Sequence, residues 1–341
     1  MFTKDIGIDL GTANTLVYLR GKGIIIREPS VVAVNTRTDK TRYVGMEAKE
    51  VIGRTPGSIV AVRPLKDGVI ADFDIATTML QEFIKKALRG TILTKANVII
   101  CIPSGVTAVE RRAVREACKK AGANNVLIIE EPMAAAIGAG LPTRSPSGSM
   151  IVDIGGGTTD VAVISLGGVV TSQSIRIGGD KMDDAIVNFV RKNYNLLIGE
   201  RTAEEIKMAI GTVHILPESE HLTYMVNGRD LVSGLPRQVE ISDHEIHLAF
   251  SDIIQSILDA IKSCLEKTPP ELAGDIIQRG IVLAGGGSLI RGMDQLISEE
   301  TGMPVIYAED PMTSIVLGAG KALENIDLLR KVENGHKLSR A

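Results

Sequence analysis

The residues best suited to chemistry are two aspartates, each leading into a glycine–threonine turn. Residues 5–18 read DIGIDLGTANTLVY, and residues 150–164 read MIVDIGGGTTDVAVI. Each stretch carries an apolar strand to an aspartate, turns, and leaves on a second apolar strand. Asp9 and Asp153 stand 144 residues apart in a chain of 341. Self-similarity on that scale implies two halves built on one plan. A carboxylate and a ring of backbone N–H groups at each of two facing hairpins is what a nucleoside triphosphate with its metal ion needs.

The first turn is Asp9-Leu10-Gly11-Thr12-Ala13-Asn14. Glycine lets the backbone approach an anion, and Thr12, Asn14 and successive N–H groups suit phosphate oxygens. Read alone, it is equally an ordinary hairpin with an Asx turn. The second turn places Gly155, Gly156 and Gly157 inside an apolar strand context. Three glycines there cost backbone entropy, so something must require close approach. Asp9 and Asp153 can hold Mg²⁺ through its water shell, because that ion keeps several waters and takes one or two carboxylates plus phosphate oxygens. A third glycine turn, Ala284-Gly285-Gly286-Gly287-Ser288, lies between a strand and a helix. It is either a surface that packs flat against a base or phosphate, or a tight β–α connection. The pair Glu130–Glu131 precedes Pro132. One of these acids can position a water near a phosphate, or both can simply favour a helix dipole.

Several classes are excluded. No GxxxxGK[ST], no GxGxxG opening a helix and no GxSxG occurs. With 38 basic and 41 acidic residues the net charge is −3, and no dense basic stripe suits nucleic acid. Three scattered cysteines and five histidines without metal-like spacing argue against a disulfide framework and for a reducing cytosol. No apolar run reaches the roughly 18–20 residues of a membrane span, and Lys4 and Asp5 interrupt anything like a signal peptide.

The elements that must position these turns follow from periodicity. Strands are expected at 5–10, 14–20, 23–26 and 30–34, then a helix over 74–89 whose Met79, Leu80, Phe83, Ile84 and Leu88 share a face. A buried strand at 97–102, a helix over 106–121, a strand at 126–129 and an Ala-rich helix at 132–140 follow. Polar residues 144–149 mark the boundary between halves. Strands resume at 150–154, 160–165 and 168–175, with helices over 180–197, 202–210, 243–266, 288–301 and 313–330, and strands at 280–284 and 304–307. The tail 331–341 is polar and expected to fray. This order fits neither a TIM barrel nor a simple Rossmann domain.

Together, the two turns, EEPMAAAIGAG at 130–140 and LAGGGS at 283–288 resemble the actin, Hsp70 and sugar-kinase superfamily. Within it the chain is similar to MreB-type bacterial actins across nearly its whole length, through EPSVVAV at 28–34, RPLKDGVIADF at 63–73, VDIGGGTTDVAVISLGG at 152–168, IGERTAEEIK at 198–207, SGLPR at 233–237 and LEKTPPELAGDI at 265–276. The resemblance implies an α/β actin-like ATPase fold: two duplicated ribonuclease-H-like domains, each with a small inserted subdomain. One half is 1–144 plus 313–341 with an insertion at about 35–65. The other is 145–312 with an insertion at about 181–243.

The resemblance further implies ATP or ADP with Mg²⁺ in the cleft between the halves. Gly11, Thr12, Ala13 and Asn14 hold phosphates from one side, and Gly155, Gly156, Gly157 and Thr158 from the other. Asp9 and Asp153 flank the metal. Glu131 and Thr158 orient the attacking water beside Asp153. Glu204, Glu205, Ile206 and Lys207 reach the adenosine, with Glu204 and Lys207 one turn apart on a helix. Ala284, Gly285, Gly286 and Gly287 line the nucleotide from below. The chemistry implied is slow phosphoryl transfer to water, timing assembly of paired antiparallel filaments. These would lie on the inner face of the cytoplasmic membrane with scaffold and wall-synthesis partners and no nucleic acid. Ile92 and Leu93, among Lys85, Lys86, Arg89 and Lys95, suit an anionic leaflet, with filament avidity multiplying a weak contact. An Hsp70-type chaperone would need a substrate domain beyond residue 330. A small-molecule kinase would need a base aimed at a substrate hydroxyl, for which Asp160 is the candidate. A non-polymerising scaffold would rearrange the first insertion.

Overall fold

Two five-stranded sheets with the same connectivity form the centre of the molecule. The computed structural model describes residues 2–38, 40–53, 58–88, 94–215 and 221–324. In the first sheet, β1 (Phe2–Leu10), β2 (Asn14–Leu19) and β3 (Gly23–Pro29) run as an antiparallel meander. A small sheet follows, of order β5-β4-β6, from β4 (Val32–Asn35), β5 (Lys40–Val44) and β6 (Ile59–Val62), with α1 (Met46–Glu50) inside it. A two-stranded hairpin, β7 (Leu65–Lys66) and β8 (Val69–Ile70), leads to α2 (Phe73–Leu88), β9 (Thr94–Ile102), α3 (Ala108–Lys120), β10 (Ala123–Glu130) and α4 (Glu131–Gly138). β9 joins β1 in parallel and β10 joins β9, giving the order β10-β9-β1-β2-β3.

The second sheet repeats this. β11 (Ser149–Ile154), β12 (Thr159–Ser165) and β13 (Gly168–Ile175) form the meander. Then come α5 (Gly179–Tyr194), β14 (Leu196–Leu197), α6 (Glu200–Ile210), β15 (Thr223–Asp230) and β16 (Pro236–Ser242), the three strands pairing as a small sheet. α7 (Asp243–Glu266), α8 (Pro270–Arg279), β17 (Ile281–Ala284), α9 (Met293–Thr301), β18 (Val305–Tyr307) and α10 (Ser314–Leu323) complete the described chain. β17 joins β11 in parallel and β18 joins β17, so β13-β12-β11-β17-β18 carries the same meander and parallel pair as the first sheet.

Local chemistry explains these elements. Every residue of β11 and β12 is buried, which is why both read as continuous apolar runs. α2 buries Met79, Leu80, Phe83 and Ile84 on one face, each worth roughly 1.5–3 kcal/mol of apolar burial. α3 and α7 begin with capping boxes, Thr107 with Glu110 and Ser242 with Glu245. Two expectations shift. α8 hides behind Pro269–Pro270, where Pro269 caps the helix and Pro270 occupies its first turn. The helix expected from 288 begins at Met293, after a short 3₁₀ turn at Gly286–Leu289.

The helices α4 and α10 are exchanged between the halves. α4 follows the first sheet, yet Ala135 and Ala136 pack with Ile151, Ala162 and Ile164 of the second. α10 follows the second sheet, yet Ala319, Ala322 and Leu323 pack with Ile99, Cys101 and Ile129 of the first. The two helices cross where Gly138 meets the Ser314 carbonyl and Gly318 meets the Ala134 carbonyl, with no room for a Cβ at either glycine. Gly318→Ala should therefore lower stability by about 1–3 kcal/mol in urea unfolding. Gly274→Ala, in α8 with nothing near its Cβ position, should leave stability unchanged or raise it by up to about 1 kcal/mol.

Candidate functional site

Between the sheets lies a cleft of about 440 Å³. Its walls are built by equivalent turns from the two halves. β1 ends at Asp9 and Leu10, and the chain reverses through Gly11–Ala13 into β2. This turn is pinned by its own half. The Ser30 hydroxyl donates to the Gly11 carbonyl at 2.6 Å, and the Ser30 N–H donates to the Ala13 carbonyl at 2.9 Å. In the second half, the Gly155 N–H donates to the Thr158 carbonyl at 2.8 Å and closes the turn. The first residues of α5 then donate to it, Gly179 N–H to the Gly155 carbonyl at 3.0 Å and Asp180 N–H to the Gly156 carbonyl at 2.8 Å. The two turns face each other so closely that a Cβ on Gly156 would meet Ala13 at 2.7 Å, and one on Gly157 would strike the Thr12 hydroxyl. That close approach is the reason for glycine here.

Asp9, Glu131 and Asp153 line the cleft. Burial pushes the Asp9 carboxyl up to about 7. Burial, and then the nearby Asp160, Asp9 and Asp153, push Glu131 well above the usual carboxylate range. Burial, Asp160 and Asp9 do the same to Asp153. Asp153 Oδ1 is buried without a hydrogen-bond partner. Uncompensated carboxyl groups with an orphaned oxygen suit a divalent cation. Among the described residues, no group of three or more His, Cys, Asp or Glu could ligate a metal directly. Two carboxyl groups on facing turns would fit an ion that keeps most of its own waters, as Mg²⁺ does.

Glu130 and Glu131 separate cleanly. Glu130 pairs with Arg111 at 3.1 Å, part-exposed, while Glu131 turns inward at the start of α4. On the second half's wall, α6 presents Glu204, Lys207 and Met208 to the cleft. The Lys207 ammonium donates to Asp183 Oδ2 at 2.8 Å and to the Gly179 carbonyl at 3.0 Å. Gly285, Gly286 and Gly287 add a further glycine surface. Gly285 has φ +79°, and a Cβ there would collide with Asp153 and the Ile154 carbonyl. Leu289, Ile290 and Met312 supply apolar lining.

Of the expected residues, Gly11, Thr12, Ala13, Asn14, Gly155, Gly156, Gly157, Thr158, Asp9, Asp153, Glu131, Glu204, Lys207, Gly285, Gly286 and Gly287 all border this cleft. Three stand away from it. Glu205 pairs with Arg201 on its own helix at 3.0 Å, Ile206 is fully buried in the second half's core, and Ala284 is buried at the end of β17. On a helix, only every third or fourth residue can share the face that carries Glu204 and Lys207. Asp160 is fully buried. Its Oδ1 accepts from the Ser104 N–H at 2.9 Å and the Ser104 hydroxyl at 2.8 Å, tying β12 to the loop after β9. Ile92 and Leu93 lie outside the described residues.

The cleft also contains residues to which the sequence reading gives no role. The β7–β8 turn reaches in, and the Gly68 N–H donates to the Thr12 hydroxyl at 3.0 Å. Its Asp67-Gly68 pair has φ +50° and +77°, and Asp-Gly is the dipeptide that favours such a hairpin. Asp180 and Asp183 follow the Gly178–Gly179 pair into α5. A Gly-Gly-Asp run after a strand is the available signal.

Comparison with known proteins agrees with this geometry. The MreB/Mbl protein family model matches residues 3–331. The chain belongs to the MreB/Mbl family. It is 51% identical to the cell shape-determining protein Mbl of Bacillus subtilis over 97% of this chain and 99% of that protein. It is 54% identical to the cell shape-determining protein MreB of Escherichia coli over 96% and 95%. Crystal structures of MreB5 of Spiroplasma citri bound to ADP and to AMPPNP superpose with TM-scores of 0.89 at 39% identity, covering 97–98% of this chain and 99% of theirs. The fold of this MreB/Mbl chain is thus that of the bacterial actins.

The carboxyl groups predict a pH signature. The folded value of Asp9, about 7, lies above its ordinary value of 3.8. The folded chain therefore holds a proton that the unfolded chain releases, and this group's stabilisation is full below about pH 4 and lost as pH rises to about 7. In the ligand-free protein, Asp9→Asn should raise the melting temperature at pH 7.5 on the order of 2–4 °C and leave it unchanged at pH 4. Thermal scans across that range check both.

Proposed function

We propose that this chain binds ATP and ADP with Mg²⁺ in the cleft, and that slow hydrolysis there times its assembly into filaments that determine cell shape. The observation that carries this reading is the pair of equivalent Asp–Gly–Thr turns facing each other beside uncompensated carboxyl groups, in a chain of the MreB/Mbl family. The ADP and AMPPNP bound by MreB5 support a nucleotide in the same cleft.

In this reading the backbone of Gly11–Asn14 and of Gly155–Thr158 grips phosphate oxygens from opposite sides. Asp9 and Asp153 would hold Mg²⁺ through its waters, and the ion would supply positive charge against the negative charge of the phosphates. Glu131 orients the attacking water by accepting its hydrogen bond, and Thr158 fixes that water from the second half. Glu204 and Lys207 hold the sugar, and the glycines at 285–287 lie flat beneath it. The base rests against the apolar lining at Leu289, Ile290 and Met312. We take 1–144 with 313–341 and 145–312 as the two bodies that close around nucleotide, joined through the crossed helices.

Assembly follows from closure, which aligns the surfaces that stack along a protofilament. By family resemblance the protofilaments pair antiparallel and lie on the inner face of the cytoplasmic membrane. Ile92 and Leu93 provide the membrane contact, and scaffold and wall-synthesis proteins are the further partners. No helix among the described residues is long and apolar enough to cross a membrane.

The test is phosphate release by the purified chain with Mg-ATP, beside pelleting with anionic vesicles and electron microscopy. Glu131→Gln should slow phosphate release by about 10²–10⁴-fold and leave ADP affinity within about threefold, since the acid acts on water. Ile92→Ser with Leu93→Ser should abolish vesicle pelleting while filaments still form in solution. Turnover without polymer at any concentration would overturn the cytoskeletal part of the reading.

A further inference from the structure

Ion pairs bridge the two halves beside the cleft. Lys49, on α1 in the small sheet of the first half, reaches Glu204 on α6 of the second. Its ammonium lies 3.0 Å from one carboxylate oxygen and 2.7 Å from the other. Arg63, just after β6, pairs with Glu200 at the start of α6. Lys181 in α5 faces Asp67 at 3.8 Å. Each pair joins the two halves, and the first two meet one short helix from the same small sheet. Lys49, Arg63 and Glu200 do not border the cleft, whereas Glu204 does.

We propose that Lys49–Glu204 and Arg63–Glu200 form a latch that holds the first half's small sheet down on α6 and sets the rate at which nucleotide leaves the cleft. Lys49 is then a positioning residue. It fixes the carboxylate of Glu204, which in the reading above faces the sugar. The inference rests on that reading of the cleft.

The charge arrangement is suited to the task. Burial pushes the Glu204 carboxyl up, and Lys49, Lys207 and Arg63 outweigh this and hold it below its ordinary range. The acid is therefore ionised at neutral pH and available to Lys49. Lys207 lends Glu204 its charge but hydrogen-bonds Asp183 and the Gly179 carbonyl, while Glu204 hydrogen-bonds Lys49 of the first half. Glu205, the neighbouring acid, is taken by Arg201 on its own helix. The latch pairs are part-exposed, with side-chain exposures of 30% and 27% for Lys49 and Glu204, and 23% and 48% for Arg63 and Glu200. Ion pairs in such positions are individually weak and screened by salt. A closure made of them opens readily, which suits a cleft that must exchange its nucleotide. The hinge that lets them part is the α4–α10 crossing.

The experiment measures the off-rate of a fluorescent ADP analogue, chased by excess Mg-ADP, for the full chain and for charge reversals at the outer pair. Arg63→Glu and Glu200→Arg should each speed release about threefold or more, in line with the loss of one part-exposed ion pair. The double variant, which restores the attraction with opposite polarity, should return the rate to within about twofold of the parent. Lys49→Gln should speed release and weaken its salt dependence. Single reversals that bind the analogue but release it at the parent rate overturn the latch. So does a double variant as fast as the faster single one. A parent chain that does not bind the analogue at all overturns the nucleotide reading itself, and the latch with it. Should Arg63→Glu fail to fold, Glu200→Arg and Lys49→Gln test the latch by the same off-rate, and parent-like release from both overturns it.

Discussion

Carboxyl groups gathered out of water, each pushed up in pKa by burial and some by one another, are the constraint on which this structure turns. Burial raises the proton affinity of Asp9, Glu131, Asp153 and Asp160, and the charges of Asp160 and Asp9 raise that of Glu131 and Asp153 further. Such a cluster disfavours the folded chain at neutral pH. It is held in place by the firmest elements available: β1 and β11, each at the centre of a five-stranded sheet, and the first turn of α4. In the function proposed above, a cation with phosphate oxygens would relieve that cost.

The two halves meet in contacts of different character. Where α4 and α10 exchange sheets they cross through Gly138 and Gly318, with backbone touching backbone. Close packing of that kind has few alternatives and tolerates little sliding. Between α6 and the small sheet of the first half, the contact is made by part-exposed ion pairs that solvent and salt weaken. A close-packed crossing combined with weak ion pairs is what the proposed closure would need. Asp160 adds a third tie, accepting from Ser104 of the first half while sitting opposite Asp153 in the β11–β12 pairing.

Much of this is legible in the chain. The repeated Asp–Gly–Thr phrase announces the duplication, and strict apolar runs locate β9, β11 and β12, because strands buried on both faces leave no alternation to misread. The cleft residues near the turns are legible for the same reason, since glycine triplets in strand context have few other uses. What the sequence hides depends on distance along it. Lys49 and Glu204 lie 155 residues apart, and no local pattern announces an ion pair between halves. The Asp67–Gly68 turn gains a place at the cleft only once its partner Thr12 is in view. Glu205 and Ile206 travel with Glu204 and Lys207 in the motif because a motif is contiguous in sequence, whereas a helix face is not. α8 is hidden because the prolines that close off α7 also open the next helix.

Burial raises the proton affinity of these acids, and a cation with phosphates in the cleft would lower it again. Calorimetric binding of Mg-ADP near pH 7, in buffers of different ionisation enthalpy, counts the protons exchanged. Net proton release on binding is expected, and smaller release for Asp9→Asn. Binding with no proton exchange, or with uptake, would mean that the cluster is ionised before the ligand arrives, and would contradict that expectation.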